Sequence, residues 1–497
     1  MTWVRRRLAG APTDAASTRD GRGWRASPWT ALVIVLAGTY GATLNITALG
    51  VALPAIAGDE GGDGGLGVDW VITAYLLGVV VVQSAAAWLA DRWGRSRIYS
   101  LSLAVFGVGA IACALAPTLP VLVAARFVQG LGGGALMPVG MTLVYERFPP
   151  SRRGTALGIW GVGIAGAPAA GPPLGGWLVT AAGWRSVFVV SAAVAAVAFV
   201  LATAWLRDSG FAERRRFDRA GWVTLSMAVI GVVVIAREAA TVGVTHPAII
   251  IGTLATAALI VGVVWHSRRV DEPIIEFDMF TTPTFTATMI IAGLLAVAQY
   301  SRTNYLPVEL AVVRDLSAGE IGLLLAPGAV GIAVMMPLGG RLTDRMGART
   351  PTLVGLAIVA WAMWQFAHLG PETSASWIVA VLVAQGAGIG LAFVPTTVTA
   401  MNCVPSRQAA QASVTTNLTR QTSGAIGIAA LGALIVSDLG EIAPTGITAD
   451  TAQDAYNRIF VVAFWLAVVA FVVAITLPGR NDTRPAANGD EHALRPS

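Results

Sequence analysis

The chain contains no lysine, so all 33 of its basic Lys/Arg positions are arginine. Among 497 residues there are only two cysteines, four histidines and 12% charged residues. Each shortage removes a class of function. Cys113, inside an apolar run, and Cys403 form neither a disulfide pattern nor metal-ligand spacing. His246, His266, His368 and His492 are scattered over loops, helix ends and a tail, again without metal spacing. No glycine-rich phosphate loop is present, which argues against ATP-driven work by this chain alone. Arg5-Arg6-Arg7 is not followed by the apolar segment of a cleaved signal peptide, so residues 1–28 read as a tail. No enzymatic activity, cofactor or metal is expected.

Apolar sequence is what the chain has in excess. It is 55% hydrophobic, with a mean hydropathy of +0.68. One soluble core cannot hide that much apolar surface, so most of it must face lipid. Runs of about 17–25 apolar residues suffice to cross a hydrocarbon layer of ~30 Å. Fourteen such spans are read, at 30–54, 68–90, 98–116, 120–145, 155–180, 184–206, 220–236, 247–266, 284–310, 319–339, 351–369, 374–398, 417–437 and 458–477. The expected fold is therefore an all-α integral membrane protein with helices arranged six, two, six. A first six-helix half covers 29–206. A basic connector (207–219) containing Glu213-Arg214-Arg215-Arg216 leads to two additional helices (220–266). A second connector (267–283) precedes the last six (284–477), and 478–497 forms a C-terminal tail.

Orientation follows from charge. Placing loops alternately puts the arginines overwhelmingly on the side of the N-terminus. Arg185, Arg237, Arg314 and Arg458 fall on the other side, with Arg126 and Arg302 inside spans. By the positive-inside rule both termini are expected to be cytoplasmic. The opposite loops are acidic, as in Asp59-Glu60, Asp63 and Asp69. The +5 net charge thus belongs to cytoplasmic loops and does not imply nucleic acid.

The chain also repeats itself. Ala87-Trp-Leu-Ala-Asp91-Arg92-Trp-Gly94-Arg95 returns 253 positions later as Gly340-Arg-Leu-Thr-Asp344-Arg345-Met-Gly347, with Arg349 close behind. Gln129-Gly130 is echoed by Gln385-Gly386, and Pro150-Ser-Arg152 by Pro405-Ser-Arg407. A duplicated membrane half is the mark of a transporter with parallel repeats and a binding site between them.

The repeated Gly-x-Leu-x-Asp-Arg-x-Gly stretch resembles the loop 2–3 signature of the major facilitator superfamily. Leu44-Asn45-Ile-Thr47-Ala-Leu-Gly50-Val-Ala-Leu-Pro54 and Trp70-Val-Ile-Thr-Ala-Tyr75 resemble first- and second-helix motifs of its fourteen-helix drug:proton antiporter branch. Arg126-Phe-Val-Gln129-Gly130 and Gly171-Pro172-Pro-Leu-Gly175-Gly176 resemble its fourth- and fifth-helix motifs. The resemblance implies two pseudo-symmetric halves around a central cavity in a bacterial inner membrane. It also implies export of an amphipathic drug, antibiotic or metabolite by a monomer, with protons as the counter-substrate. Open alternatives are a lipid or metabolite exporter with weak or no proton coupling, and a non-transporting receptor on the same fold.

Roles follow by position. Asp91, Arg92, Gly94, Arg95, Asp344, Arg345, Gly347 and Arg349 are gating candidates. An Asp there can accept hydrogen bonds from a helix N-terminus or an Arg and release them when helices separate, and a Gly allows the tight reversal. Ala87 stands where the motif has its first Gly. Gly166, Pro168, Gly171, Pro172, Gly175 and Gly176 make the fifth span closely approachable and bendable. Asn45 stands where the resembled motif carries a proton-binding Asp, and Gly50 where it has Asn. An amide does not titrate, although it can bond a substrate or a neighbouring helix.

Coupling candidates are Arg126, Arg302 and Glu309. Arg126 either snorkels outward or lines the pathway. Glu309 lies seven residues beyond Arg302, on a similar helix face. The two either pair, snorkel, or offer a protonation site. Tyr40, Asn45, Tyr75, Gln83, Gln299, Tyr300, Asn304, Tyr305, Gln385, Asn417 and Gln421 are candidate cavity residues. Sparse polar groups among aromatic walls suit bulky amphipathic substrates. Trp29, Trp184 and Trp205 sit near span ends, where interfacial anchors belong.

Overall fold

The computed structural model describes residues 27–59, 68, 70–207, 216–242, 246–370, 372–405, 408–440 and 449–479. Both expected tails lie almost wholly outside these residues, as do Glu60, Asp63, Asp69 and most of the first connector. The described residues are helical, with no strand among them.

The helices follow one another as α1 (Pro28–Asp59), α2 (Trp70–Trp93), α3 (Arg95–Ala114), α4 (Leu119–Arg147), α5 (Arg153–Ala182), α6 (Arg185–Trp205) and α7 (Arg219–Val242). Then come α8 (Pro247–Ser267), α9 (Pro283–Arg314), α10 (Ala318–Met346), α11 (Arg349–Phe366), α12 (Ala375–Asn402), α13 (Ala409–Gly440) and α14 (Ala449–Ala474). Ten of these are long and apolar enough to cross a membrane among the described residues. α5, α7, α11 and α13 do not pass that criterion. α13 carries Asn417, Arg420 and Gln421 in its interior. A polar helix survives where neighbouring helices, not lipid, surround its polar groups.

Local chemistry sets the ends. Gly94 between α2 and α3 has φ 94°, and Gly347 between α10 and α11 has φ 84°. A side chain would strain both, so each copy of the repeat turns on its glycine. α10 starts with a capping box, in which Ser317 and Glu320 satisfy each other's backbone amides.

Packing repeats along with sequence. α2 lies on α4, α3 on α4 and α6, and α1 on α5 and α6. Correspondingly, α10 lies on α12, α11 on α12 and α14, and α9 on α13 and α14. The glycine echoes explain how the backbones come so close. A Cβ on Gly130 of α4 would collide with the Tyr75 carbonyl of α2, and one on Gly386 of α12 with the Gly328 carbonyl of α10. α7 and α8 pack on each other, and α7 also rests against α13 and α2. Ser226 of α7 bonds Ser84 of α2 (2.8 Å), and the Trp222 indole donates to the Val81 carbonyl (2.8 Å).

Candidate functional site

Contacts between the two six-helix groups concentrate at the end of the bundle that carries the Asp-Arg turns. Asp344, near the end of α10, reaches the first turn of α5. Its Oδ1 accepts from the Gly154 amide (2.8 Å), and its Oδ2 from the Thr155 amide (2.8 Å) and hydroxyl (2.7 Å). Two orphan amides of a helix N-terminus thereby meet a carboxylate, which also complements the positive end of the helix dipole. The backbones touch here, since Gly154 and Gly340 each leave no room for a Cβ.

In the other copy, Asp91 pairs with Arg95, the first residue of α3 (3.1 Å), and Arg95 also reaches Glu146 of α4 (3.2 Å). Arg92 is partly buried, while Arg345 and Arg349 are exposed.

A second lock joins α4 and α5 to α12. The Tyr145 hydroxyl donates to Asn402 Oδ1 (2.7 Å) or the Met401 carbonyl (3.1 Å). Arg153 donates to both the hydroxyl (2.9 Å) and Asn402 Oδ1 (3.2 Å), with its guanidinium 4.0 Å from the Tyr145 ring centre. Further along, Ser413 of α13 donates to the Pro138 carbonyl of α4 (2.9 Å). Sequence reasoning missed Tyr145, Arg153 and Asn402. The nearest signal was the Pro-Ser-Arg echo beside them.

Inside the first group, Arg126 is fully buried. It donates through Nε to the Val71 carbonyl (2.9 Å) and through Nη1 to Asn45 Oδ1 (2.8 Å) and Gln129 Oε1 (2.7 Å). The Tyr75 ring lies 4.3 Å from the guanidinium carbon. Arg126 therefore does not snorkel. Asn45 bonds neighbouring helices, donating also to Ser191 of α6 (2.8 Å). Every partner of this cation is a neutral oxygen, and its Nη2 has no hydrogen-bond partner among the described residues.

Arg302 and Glu309 do not pair. Glu309 is buried and accepts from Gln453 of α14 through Oε1 (2.6 Å), while its Oε2 has no hydrogen-bond partner among the described residues. Arg302 donates weakly to Thr303 (3.3 Å) and points towards Gly328 of α10, from which a Cβ would lie 3.5 Å from its Nη1. Seven residues of spacing put the two on similar faces, but each turns to a different neighbouring helix.

The remaining candidates divide by environment. Tyr75, Gln83, Gln385 and Asn417 are buried, whereas Tyr300 and Asn304 are exposed. Tyr40, Gln299, Tyr305 and Gln421 are half-buried. Both amide atoms of Gln385 lack partners among the described residues, as does Gln83 Nε2. Asn417 and Asn304 donate within their own helices, to the Ser413 and Tyr300 carbonyls. Tyr305 bonds the Ile428 carbonyl of α13.

On α5, Gly171 receives Thr47 of α1, whose hydroxyl donates to the Ala167 carbonyl (3.1 Å), and Gly175 abuts Ala48. Gly166 faces Tyr40 and Gly176 faces Val51 at ordinary contact distance. The side chains of Pro168 and Pro172 lie outside the described set. Trp184 is no free interfacial anchor: it is buried, and its indole donates to Asp59 (2.9 Å).

One cation escaped the sequence reading altogether. α13 begins at Ala409, eight residues before the apolar run that marked its span. Arg420 therefore lies about 16 Å into the helix. Its Nη2 donates to Thr397 Oγ1 (2.7 Å) and its guanidinium carbon sits 3.7 Å from the Phe393 ring centre.

Comparison with known proteins agrees with this geometry. Residues 35–428 match the Major Facilitator Superfamily. The chain is 29% identical to the uncharacterized MFS-type transporter YcnB of Bacillus subtilis, over 91% of its own length and 95% of the relative's. It is 32% identical to the multidrug resistance protein Stp of Mycobacterium tuberculosis, over 75% of its own length and 69% of the relative's. Among solved structures, the proton:xylose symporter XylE aligns with a TM-score of 0.61 at 11% identity, covering 91% of this chain and 96% of that one, a likeness of fold alone. Matched over most of its length and built from the same helix packing twice over, the chain belongs to the Major Facilitator Superfamily, whose members are membrane transporters and not enzymes.

Proposed function

We propose that this protein is a secondary transporter that exports amphipathic small molecules across a bacterial inner membrane by alternating access, in exchange for protons. The observation that carries this reading is the Asp344 carboxylate on the N-terminus of α5. It joins the two six-helix groups through three hydrogen bonds that part together when the groups rock. Charge-assisted bonds of this kind contribute about 1.5–3 kcal/mol each, enough together to bias a two-state equilibrium strongly.

All fourteen helices cross the membrane in this reading. The Asp-Arg turns and both termini face the cytoplasm, a placement that the arginine distribution supports. With the latch made, the substrate path is closed on that side. Asp91, Arg92, Arg95, Arg345 and Arg349 act around the same gate. The name of the relative Stp, a multidrug resistance protein, supports drugs or antibiotics as cargo. Glu309 is the proton site: one carboxyl oxygen is held by Gln453 and the other has no partner among the described residues.

A second reading is export without protons. It is favoured by Asn45, an amide bonded directly to Arg126 at the position where the resembled motif has its titrating acid.

Inverted vesicles with an acid-inside gradient decide between the readings. A pH-dye is followed while ethidium, a naphthalene carboxylate and a neutral aryl amide are added in turn. Gradient collapse only on adding a probe, lost in Glu309→Gln, supports proton antiport. Probe movement with an undisturbed gradient supports the second reading. No movement of any probe by a well-folded protein counts against export.

A further inference from the structure

The charge inside the helices is one-sided. Arg126, Arg302 and Arg420 lie deep within helices, and among the described residues no carboxylate lies as far from a helix end; Glu309, nearer the end of α9, is engaged by Gln453. None of the three arginines has a carboxylate partner among the described residues. An ionised group withdrawn from water is costly unless it is paired. Arg126 is largely satisfied by neutral acceptors within its own group of helices. The other two are not.

Arg420 is nine-tenths buried, and its Nη1 has no hydrogen-bond partner among the described residues. Its Nη2 is steadied by Thr397, and its flat face by Phe393. Tyr300 of α9, exposed and packed on Gly424, stands within coulombic range of it. Arg302 approaches α12 about three turns away from Phe393, near Leu382, and its Nε likewise has no hydrogen-bond partner among the described residues. Two guanidiniums with unpartnered donors thus border α12, one of them framed by aromatic rings.

We infer that Arg420 binds the anionic group of the substrate, with Arg302 adding positive charge about three turns away along α12, and that this transporter therefore selects amphipathic organic anions: aryl or alkyl carboxylates, sulfonates or phosphate monoesters. The anion completes the guanidinium hydrogen bonding, in the fork geometry that arginine offers to such groups. Phe393 and Tyr300 take up the apolar body of the substrate. The inference rests on the export reading for the direction of transport, but its binding step stands apart from it.

The test uses the full-length protein in detergent and in liposomes, with matched aryl triplets: naphthalene carboxylate, naphthalene carboxamide and naphthyl trimethylammonium, then larger ring systems of the same three kinds. Affinity is read by intrinsic tryptophan fluorescence and by melting temperature, with a chloride titration alongside. The expected result is that acids bind at least about tenfold more tightly than their amides, the scale of a buried charge-assisted hydrogen bond. Arg420→Gln should abolish that preference, Arg420→Lys should keep part of it, and Arg302→Gln should weaken it. Size-exclusion profiles establish that each variant is folded, and the lysine variant tests the idea even if the glutamine variant is not.

The inference is overturned if no acid outbinds its amide, if the ammonium compounds bind as well as the acids, or if folded Arg420→Gln and Arg420→Lys both keep the full preference. It is also overturned if chloride alone saturates the site and displaces nothing else. Transport of the ammonium probes without acid preference would sink this inference and leave export standing. Acid-selective binding without movement would do the reverse.

Discussion

Asp344 and Thr155 stand 189 positions apart in sequence and meet twice: the Asp344 carboxylate oxygen Oδ2 accepts from the Thr155 amide at 2.8 Å and from its hydroxyl at 2.7 Å. The other oxygen takes the Gly154 amide. Such a contact satisfies two amides that α5 cannot satisfy internally, at a place where two glycines let the backbones touch. The energy of the contact depends on the two groups of helices being together, which is what a gate requires.

Replacing the charge while keeping the shape weakens the latch. In Asp344→Asn, one oxygen remains to accept, and the anion facing the helix dipole is lost. The expected cost is about 1–3 kcal/mol, or roughly a five- to hundredfold shift away from the latched state. Vesicle uptake of a transported probe should fall by a similar factor with melting temperature little changed. Uptake at the wild-type rate would remove the gating role.

Tyr145→Phe deletes the hydroxyl that joins Arg153 to Met401 and Asn402. The ring stays beneath the Arg153 guanidinium. About 1 kcal/mol is lost from the same closed end. Combined with Asp344→Asn, the effects on gate opening should exceed either alone. A double variant no different from Asp344→Asn would show that the Tyr145 lock is inert.

Asn45 of α1 ties the buried Arg126 of α4 to Ser191 of α6. Asn45→Leu leaves Arg126 and Ser191 short of a partner, and should lower stability by about 1–3 kcal/mol. Asn45→Asp gives Arg126 a counter-charge and should melt higher than Asn45→Leu. Thermal melting in detergent checks the order. Equal melting of the two variants would mean that the Arg126 charge is compensated elsewhere.

Gly94 and Gly347 hold backbone angles that a side chain resists. Alanine at either position should cost about 1–3 kcal/mol and appear as reduced melting temperature. Alanine at Gly319 of α10, where a Cβ meets nothing within 4 Å, is the control and should be nearly silent.

Cys403 lies just past α12, half-buried, and burial pushes its thiol up to about 11. Below that value the thiol is protonated and unreactive, so maleimide labelling should be slow at neutral pH and accelerate as pH approaches it. Cys113 is fully buried and should stay unlabelled. Fast labelling at neutral pH would contradict the burial of Cys403.

Much of this was legible in the sequence, and the reasons it was or was not are local. The Asp-Arg-x-Gly repeat announced both turns because only glycine tolerates their backbone angles. The Gln-Gly echoes marked where α4 and α12 press against α2 and α10. Apolarity, however, finds where a helix faces lipid and not where it begins. The first two turns of α13 mix Ala and Val with Gln, Ser and Thr shielded by other helices, so apolarity starts the span at 417 and leaves Arg420 at its edge. Glu309 and Arg302 shared a face on paper, yet Gln453, on a helix 144 positions away, decides the partner of Glu309. Asn402 and Tyr145 likewise meet only through the fold.

The measurement that tests the central claim most directly is a pair of spin-label distances in lipid nanodiscs. One pair spans α5 and α10 beside Gly154 and Asp344, and the other spans the opposite ends of the two six-helix groups. Alternating access predicts two populations at each end that change reciprocally, with Asp344→Asn lengthening the distance at its own end and shortening the other. A single unchanging distance at both ends, in wild type and variant alike, would contradict it.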